Sequence, residues 1–141
     1  MTAAIGAAEL IRDHARHPVG RADASGAVAG RCELITPTCG DRLEVRVVGG
    51  ADSVGIAWSG RGCEVSQGSA SLLADELDGL AAGAIRARVE AFLGAMTRRE
   101  TDPVLGQESA LLAVAGNPVR SVCATLAWRA LLGALDEAEL R

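Results

Sequence analysis

Residues 43–58 read Leu-Glu-Val-Arg-Val-Val-Gly-Gly-Ala-Asp-Ser-Val-Gly-Ile-Ala-Trp, and this stretch decides the fold. Apolar and polar residues alternate on both sides of the Gly49-Gly50 pair. Such alternation is typical of β-strands that bury one face and leave the other polar. A glycine pair between two such runs predicts a tight turn, so we expect an antiparallel hairpin with the turn at Gly49-Gly50.

A third strand is predicted just before this hairpin. Val28, Cys32 and Leu34 fall on one face of it, while Arg31 and Glu33 fall on the other. Short sequential strands joined by tight turns favour an antiparallel meander with one buried face. Cys32 lies on the apolar face, so we assign it to the core.

Helical patterns flank the three strands. An apolar stripe over residues 3–16, followed by Pro18, predicts an N-terminal helix. After residue 63 we expect Ser66 or Ser69 to cap a helix that ends near Gly79. Three more helical patterns follow, in residues 85–96, 111–114 and 118–135. This order predicts an α+β fold in which about four helices pack on one side of the meander, as a single domain spanning residues 1–141.

The composition excludes several classes of protein. The chain has 141 residues, of which 49% are hydrophobic and 2% aromatic, so we expect an aliphatic core. Its net charge of −4 argues against nucleic-acid binding. We find no apolar run of membrane-spanning length and no signal-peptide pattern, so we expect a cytoplasmic protein with reduced thiols.

Three cysteines and one aspartate stand out as candidate metal ligands. Cys39 and Asp41 flank a glycine on one short loop, Cys63 follows a glycine-rich turn, and Cys123 begins a helical pattern. Three thiolates and a carboxylate form a suitable tetrahedral set for Zn²⁺. Because the ligands are far apart in the chain, the site would form only when the whole domain has folded.

The residues alone leave the role of this site open. A closed four-ligand zinc site is usually structural. If one thiolate is a nucleophile, Cys39 and Cys63 are equally good candidates, because both lie in glycine-flanked turns. We expect the helix dipole to lower the pKa of Cys123. His14 and His17, near the end of the first helix, are interpreted as surface or helix-end residues and not as ligands.

Three motifs taken together resemble the SufU branch of the IscU-like family: Pro-Thr-Cys-Gly-Asp at 37–41, Gly-Arg-Gly-Cys-Glu-Val-Ser-Gln-Gly-Ser-Ala-Ser at 60–71, and Arg-Ser-Val-Cys-Ala-Thr-Leu-Ala-Trp at 120–128. The Asp-His and His-Pro pairs within residues 13–18 are similar to the N-terminal motif of that family. The resemblance covers nearly the whole chain, and the order of the motifs makes it specific.

The resemblance implies a function and assigns roles to residues. It implies that Cys39, Asp41, Cys63 and Cys123 bind zinc, and that a SufS-type cysteine desulfurase passes persulfide sulfur to Cys39. The sulfur would then go to downstream proteins of iron–sulfur cluster assembly. Arg120 matches an arginine that matters for this sulfurtransferase-like relay.

The alternative is a scaffold that assembles a transient iron–sulfur cluster on the same ligands, since thiolates also bind clusters. Scaffolds of the family carry a histidine just before the third cysteine, where this chain has Val122. They also have a shorter connection between the second and third cysteines. Both differences favour the SufU type.

Overall fold

The computed structural model describes residues 6–22, 26–37 and 40–141. Its elements are α1 (Ala7–Arg16), β1 (Gly30–Ile35), β2 (Arg42–Gly50), β3 (Ser53–Arg61), α2 (Glu64–Leu77), α3 (Ala82–Arg98), a 3₁₀ helix (Gln107–Val114) and α4 (Pro118–Glu137). The predicted order of a helix, a three-stranded antiparallel sheet and then helices is confirmed. The first helix begins at Ala7, and residues 3–5 of its predicted span lie outside the described residues.

The sheet is a meander in the order β1-β2-β3, with both pairs antiparallel. Its inner face is buried, and at its centre Val45 is paired with Cys32 on one side and Trp58 on the other. The predicted turn was placed two residues too early. Gly50 is still paired with Ser53, so the two-residue turn is formed by Ala51 and Asp52.

Helices cover the inner face of the sheet. Gly133 of α4 lies directly against Cys32 of β1, where a methyl group at residue 133 would come within 2.6 Å of the Cys32 sulfur. Phe92 of α3 and Trp128 of α4 contact each other with ring centroids 4.3 Å apart. No helix in the described part of the chain is long and apolar enough to cross a bilayer.

The predicted cap of α2 is wrong. Ser66 and Ser69 are fully buried inside the helix, and Cys63 occupies the N-cap position instead. The Cys63 sulfur accepts a hydrogen bond from the Ser66 amide at 3.5 Å, and the Ser66 hydroxyl donates a hydrogen bond to the Cys63 carbonyl at 3.1 Å. The thiol therefore performs the capping role for which a serine was expected.

Both histidines lie at the end of α1, as expected, and His17 is exposed. His14 is buried, so it is a helix-end residue but not a surface one. The Nδ1 atom of His14 lies 2.7 Å from the hydroxyl oxygen of Ser71 in α2. The same oxygen accepts the Val19 amide at 2.8 Å. Through the Ser71 hydroxyl, α1 and the segment after it are therefore both hydrogen-bonded to α2.

A buried ion cluster connects α2, α3 and the 3₁₀ helix. The Glu108 carboxylate is completely buried and accepts two hydrogen bonds from Arg88, of 2.6 and 3.0 Å. Arg88 also donates to Glu76 at 2.5 Å, and the Gly106 amide donates to Glu108 at 2.9 Å. Hydrogen bonding to Glu108 raises the pKa of Arg88 above its ordinary value, so the arginine stays charged.

Candidate metal centre

Asp41, Cys63 and Cys123 meet at one end of the sheet. One carboxylate oxygen and the two sulfur atoms all lie within 4.8 Å of one another. Three of the four predicted ligands are thus brought together from three separate elements. The fourth, Cys39, lies outside the described residues.

The sheet explains why Asp41 and Cys63 are neighbours although 21 residues separate them. Arg42, the first residue of β2, is paired with Arg61, the last residue of β3. The residue before β2 and the residues after β3 therefore leave the sheet at the same edge. Cys123 reaches this edge from the second turn of α4, where its side chain is buried.

The backbone around Asp41 is fixed by Thr36 at the end of β1. The Asp41 amide donates to the Thr36 hydroxyl at 2.9 Å, and the Thr36 amide donates to the Asp41 carbonyl at 2.8 Å. Thr36 is itself 1% exposed. This pair of hydrogen bonds joins the end of β1 to the residue before β2 and holds the backbone of Asp41 in place.

The two carboxylate oxygens of Asp41 have different surroundings. Oδ1 accepts the backbone amide of Cys63 at 3.1 Å. Oδ2 is buried and accepts no hydrogen bond within the described part of the chain. Leaving a buried carboxylate oxygen without a partner is costly in free energy. A cation beside Oδ2 would remove that cost, so this oxygen fits the role of a metal ligand.

Gly62 makes room for this carboxylate. A methyl group at residue 62 would come within 2.9 Å of Asp41 Cγ and 3.0 Å of its Oδ1, and it would overlap the Ser66 hydroxyl. The sequence marks 60–63 as a glycine-rich turn, but it does not show that Gly62 packs against Asp41. That contact depends on the pairing of β2 with β3.

The pKa of Cys123 is raised, so the predicted lowering by the helix dipole is wrong. Burial is the largest cause, and the Asp41 carboxylate and the Cys63 thiol add to it. Cys123 is the sixth residue of α4, and the helix dipole loses its effect beyond the first turn. A bound divalent cation would instead lower the pKa of Cys123, because its positive charge stabilises the thiolate.

This donor set fits a tetrahedral zinc ion. Thiolate and carboxylate ligands at roughly 2.0–2.3 Å from one zinc ion lie about 3.3–3.8 Å apart. The present separations, all within 4.8 Å, allow the ligands to reach that geometry through small side-chain movements. Two sulfurs and one oxygen provide three ligands, and the predicted fourth is Cys39.

Cys32 is not part of this group, and Arg120 lies three residues before Cys123 on α4. Arg120 is exposed on the first turn of α4, where its amide donates to Asn117 Oδ1 at 3.1 Å. Its side chain forms no ion pair within the part of the chain that the structure describes. Cys32 packs against the core but is only half-buried, and burial followed by the charge of Glu137 raises its pKa.

Two curated proteins are similar to this chain along most of their length. The iron–sulfur cluster assembly scaffold protein IscU of Streptococcus pyogenes is 32% identical over 130 residues, which cover 89% of this chain and 80% of that protein. The zinc-dependent sulfurtransferase SufU of Bacillus subtilis is 31% identical over 126 residues, which cover 87% of this chain and 84% of that protein. No family model matches the sequence.

Solved structures show the same fold. The N-terminal part of a NifU-like protein from Brucella abortus superposes with a TM-score of 0.81 at 18% identity, covering 93% of this chain and 92% of that one. A protein from Fervidobacterium islandicum, described as an iron–sulfur cluster assembly scaffold for the SUF system, gives a TM-score of 0.77 at 23% identity, covering 90% of this chain and 94% of that one. These likenesses concern the arrangement of the elements alone.

Proposed function

This chain belongs to the family that contains IscU and SufU, and from that premise we propose that it accepts persulfide sulfur from a SufS-type cysteine desulfurase and relays it to iron–sulfur cluster assembly. The observation that carries the proposal is the buried group of Asp41, Cys63 and Cys123, in which Asp41 Oδ2 has no hydrogen bond within the described residues. These are the ligand types that a zinc-dependent sulfurtransferase would need.

Asp41, Cys63 and Cys123, together with Cys39, would hold one zinc ion. When bound, zinc keeps thiols deprotonated and has no redox chemistry of its own. The protein's contribution is the positioning of these ligands. Thr36 fixes the backbone of Asp41, and the Cys63 amide orients its carboxylate.

We assign the acceptor role to Cys39, which lies two residues before Asp41 in the chain. The Cys39 thiolate attacks the terminal sulfur of the desulfurase persulfide. A new S–S bond forms on Cys39, the donor's S–S bond breaks, and its electron pair leaves with the donor cysteine as a thiolate. No electron is gained or lost overall. We assign to the exposed guanidinium of Arg120 the role of stabilising the negative charge of the persulfide.

The second candidate is a scaffold on which a transient iron–sulfur cluster is assembled. The IscU relative is named for that activity, and it is as similar to this chain as the SufU relative. Val122 and the long connection that contains α3 and the 3₁₀ helix favour the first candidate. The scaffold would be isolated as a brown protein with iron and acid-labile sulfide, whereas the sulfur acceptor would be colourless and contain about one zinc per chain.

The direct test locates the transferred sulfur. The zinc-containing protein is incubated with a SufS-type desulfurase and cysteine, and its peptides are analysed by mass spectrometry under non-reducing conditions. We expect one added sulfur on Cys39, and none on any peptide after Cys39→Ser. Cys32→Ala is the matched control and should keep both the zinc and the modification. Sulfur found on Cys63 or Cys123 of the unaltered chain, with Cys39 unmodified, would overturn the assignment.

A further inference from the structure

A groove of about 350 Å³ separates α3 from α4 beside the metal centre. This α3–α4 groove is lined by Leu93, Met96 and Thr97 of α3 and by Val122, Thr125 and Arg129 of α4. We propose that it docks an acidic segment, with an apolar side chain, of the protein that donates the persulfide. The proposal rests on the proposed function and deepens it by locating the surface that the donor binds.

The groove opens next to the metal centre because α3 and α4 run antiparallel. Arg86, near the start of α3, forms an ion pair of 2.7 Å with Asp136, near the end of α4. Phe92 and Trp128 contact each other near the middle of the two helices. The end of α3 therefore lies beside the first turns of α4, where Val122 immediately precedes the ligand Cys123. A segment bound in the groove would therefore lie near the turn of α4 that carries Cys123.

The floor of the groove is apolar. Met96 is 3% exposed, Leu93 is half-buried, and Val122 is 39% exposed although it is a large apolar residue. The two threonine hydroxyls are already used within their own helices. Thr97 donates to the Leu93 carbonyl at 3.0 Å, and Thr125 donates to the Ser121 carbonyl at 3.2 Å. The floor therefore suits an apolar side chain better than a polar one.

The charge of the groove is positive. Arg129 lines the groove, and none of the described residues that line it carries a carboxylate. Arg129 is exposed and, like most of the arginines, forms no ion pair within the described ranges. An exposed guanidinium beside an apolar floor, in a protein of net charge −4, complements a segment that carries a carboxylate.

The test measures the affinity of the zinc-containing protein for a SufS-type desulfurase by calorimetry. Arg129→Glu and Thr97→Glu each place a carboxylate in the groove without altering the core, and each should raise Kd at least ten-fold. Thr97→Lys changes the same position with the opposite charge and should bind at least as tightly as the unaltered protein. Arg31→Glu, at an exposed position of β1, makes the same change in net charge as Arg129→Glu and should leave Kd unchanged. Zinc content is measured for every variant.

The outcomes separate this inference from the proposed function. Unchanged Kd for both glutamate variants, or an equal loss with Thr97→Lys, would overturn the docking surface even if Cys39 still receives sulfur. Weakened binding by the glutamate variants, with no sulfur ever found on the unaltered chain, would keep the docking surface and reject the sulfur relay. Failure of the unaltered chain to bind the desulfurase would reject the docking surface outright.

Discussion

The two carboxylate oxygens of Asp41 have separate roles in the proposed metal site. Oδ1 accepts the Cys63 amide, which leaves the buried and unpartnered Oδ2 as the better candidate to face a metal ion. A ligand restrained in this way needs little reordering when an ion binds, because its orientation is already fixed by a neighbouring ligand's backbone. The restraint depends on the close approach of residue 62, where the chain has no side chain.

Replacing Gly62 with alanine should therefore weaken the site. The added methyl group would collide with Asp41 and Ser66, so we expect a loss of about 1–3 kcal/mol in stability and at least a ten-fold loss in zinc affinity. The affinity is measured by competition with a chromophoric chelator. Gly83→Ala is the control, because a methyl group there has open space and lies in α3. Equal zinc affinity in both variants would show that Asp41 is not held as described.

Among the individual residues, the sequence identifies those whose chemistry is distinctive. Asp41, Cys63 and Cys123 can be selected because few residue types bind zinc. The burial of His14 could not be predicted, since it depends on Ser71, which is 57 residues away in the chain. The role of Gly62 is equally hidden, because its contact with Asp41 exists only after β2 has paired with β3.

Among the elements, the three strands could be predicted from alternation and the helices from periodicity. The start of α2 could not, because serine is a far more common cap than cysteine and two serines follow closely. Only residues 111–114 of the 3₁₀ helix show a helical pattern, so its start at Gln107 could not be predicted. Its position is set by the buried ion cluster of Glu108, Arg88 and Glu76, which joins residues from three elements.

That cluster gives a prediction about the elements it joins. Arg88→Ala leaves the fully buried Glu108 carboxylate without its partner, so we expect a loss of about 3–5 kcal/mol in the free energy of unfolding. The matched control is Arg86→Ala on the same helix, whose partner Asp136 is exposed, and it should cost about 1 kcal/mol. Both are measured by urea denaturation. Similar losses for the two variants would contradict the importance assigned to burial.

For the whole molecule, removing the metal should lower the melting temperature. The candidate ligands come from the residue before β2, the cap of α2 and the second turn of α4, so a bound ion would link distant parts of the chain and stabilise only the folded state. Each kcal/mol lost should lower Tm by roughly 2–4 °C in a protein of this size. Calorimetry with and without a strong chelator measures the shift, and Asp41→Asn should show a smaller one. No shift in the unaltered protein would argue against a resident metal.

The long separation in sequence between Cys123 and the other two candidate ligands has a consequence for biosynthesis. During translation, Asp41 and Cys63 leave the ribosome long before Cys123 does, and α4 is made after the strands and helices that precede it. A nascent chain that still lacks α4 carries an incomplete candidate ligand set and a sheet without one of its covering helices. Tight metal binding by this group would therefore begin only after α4 has been made and has packed on the sheet.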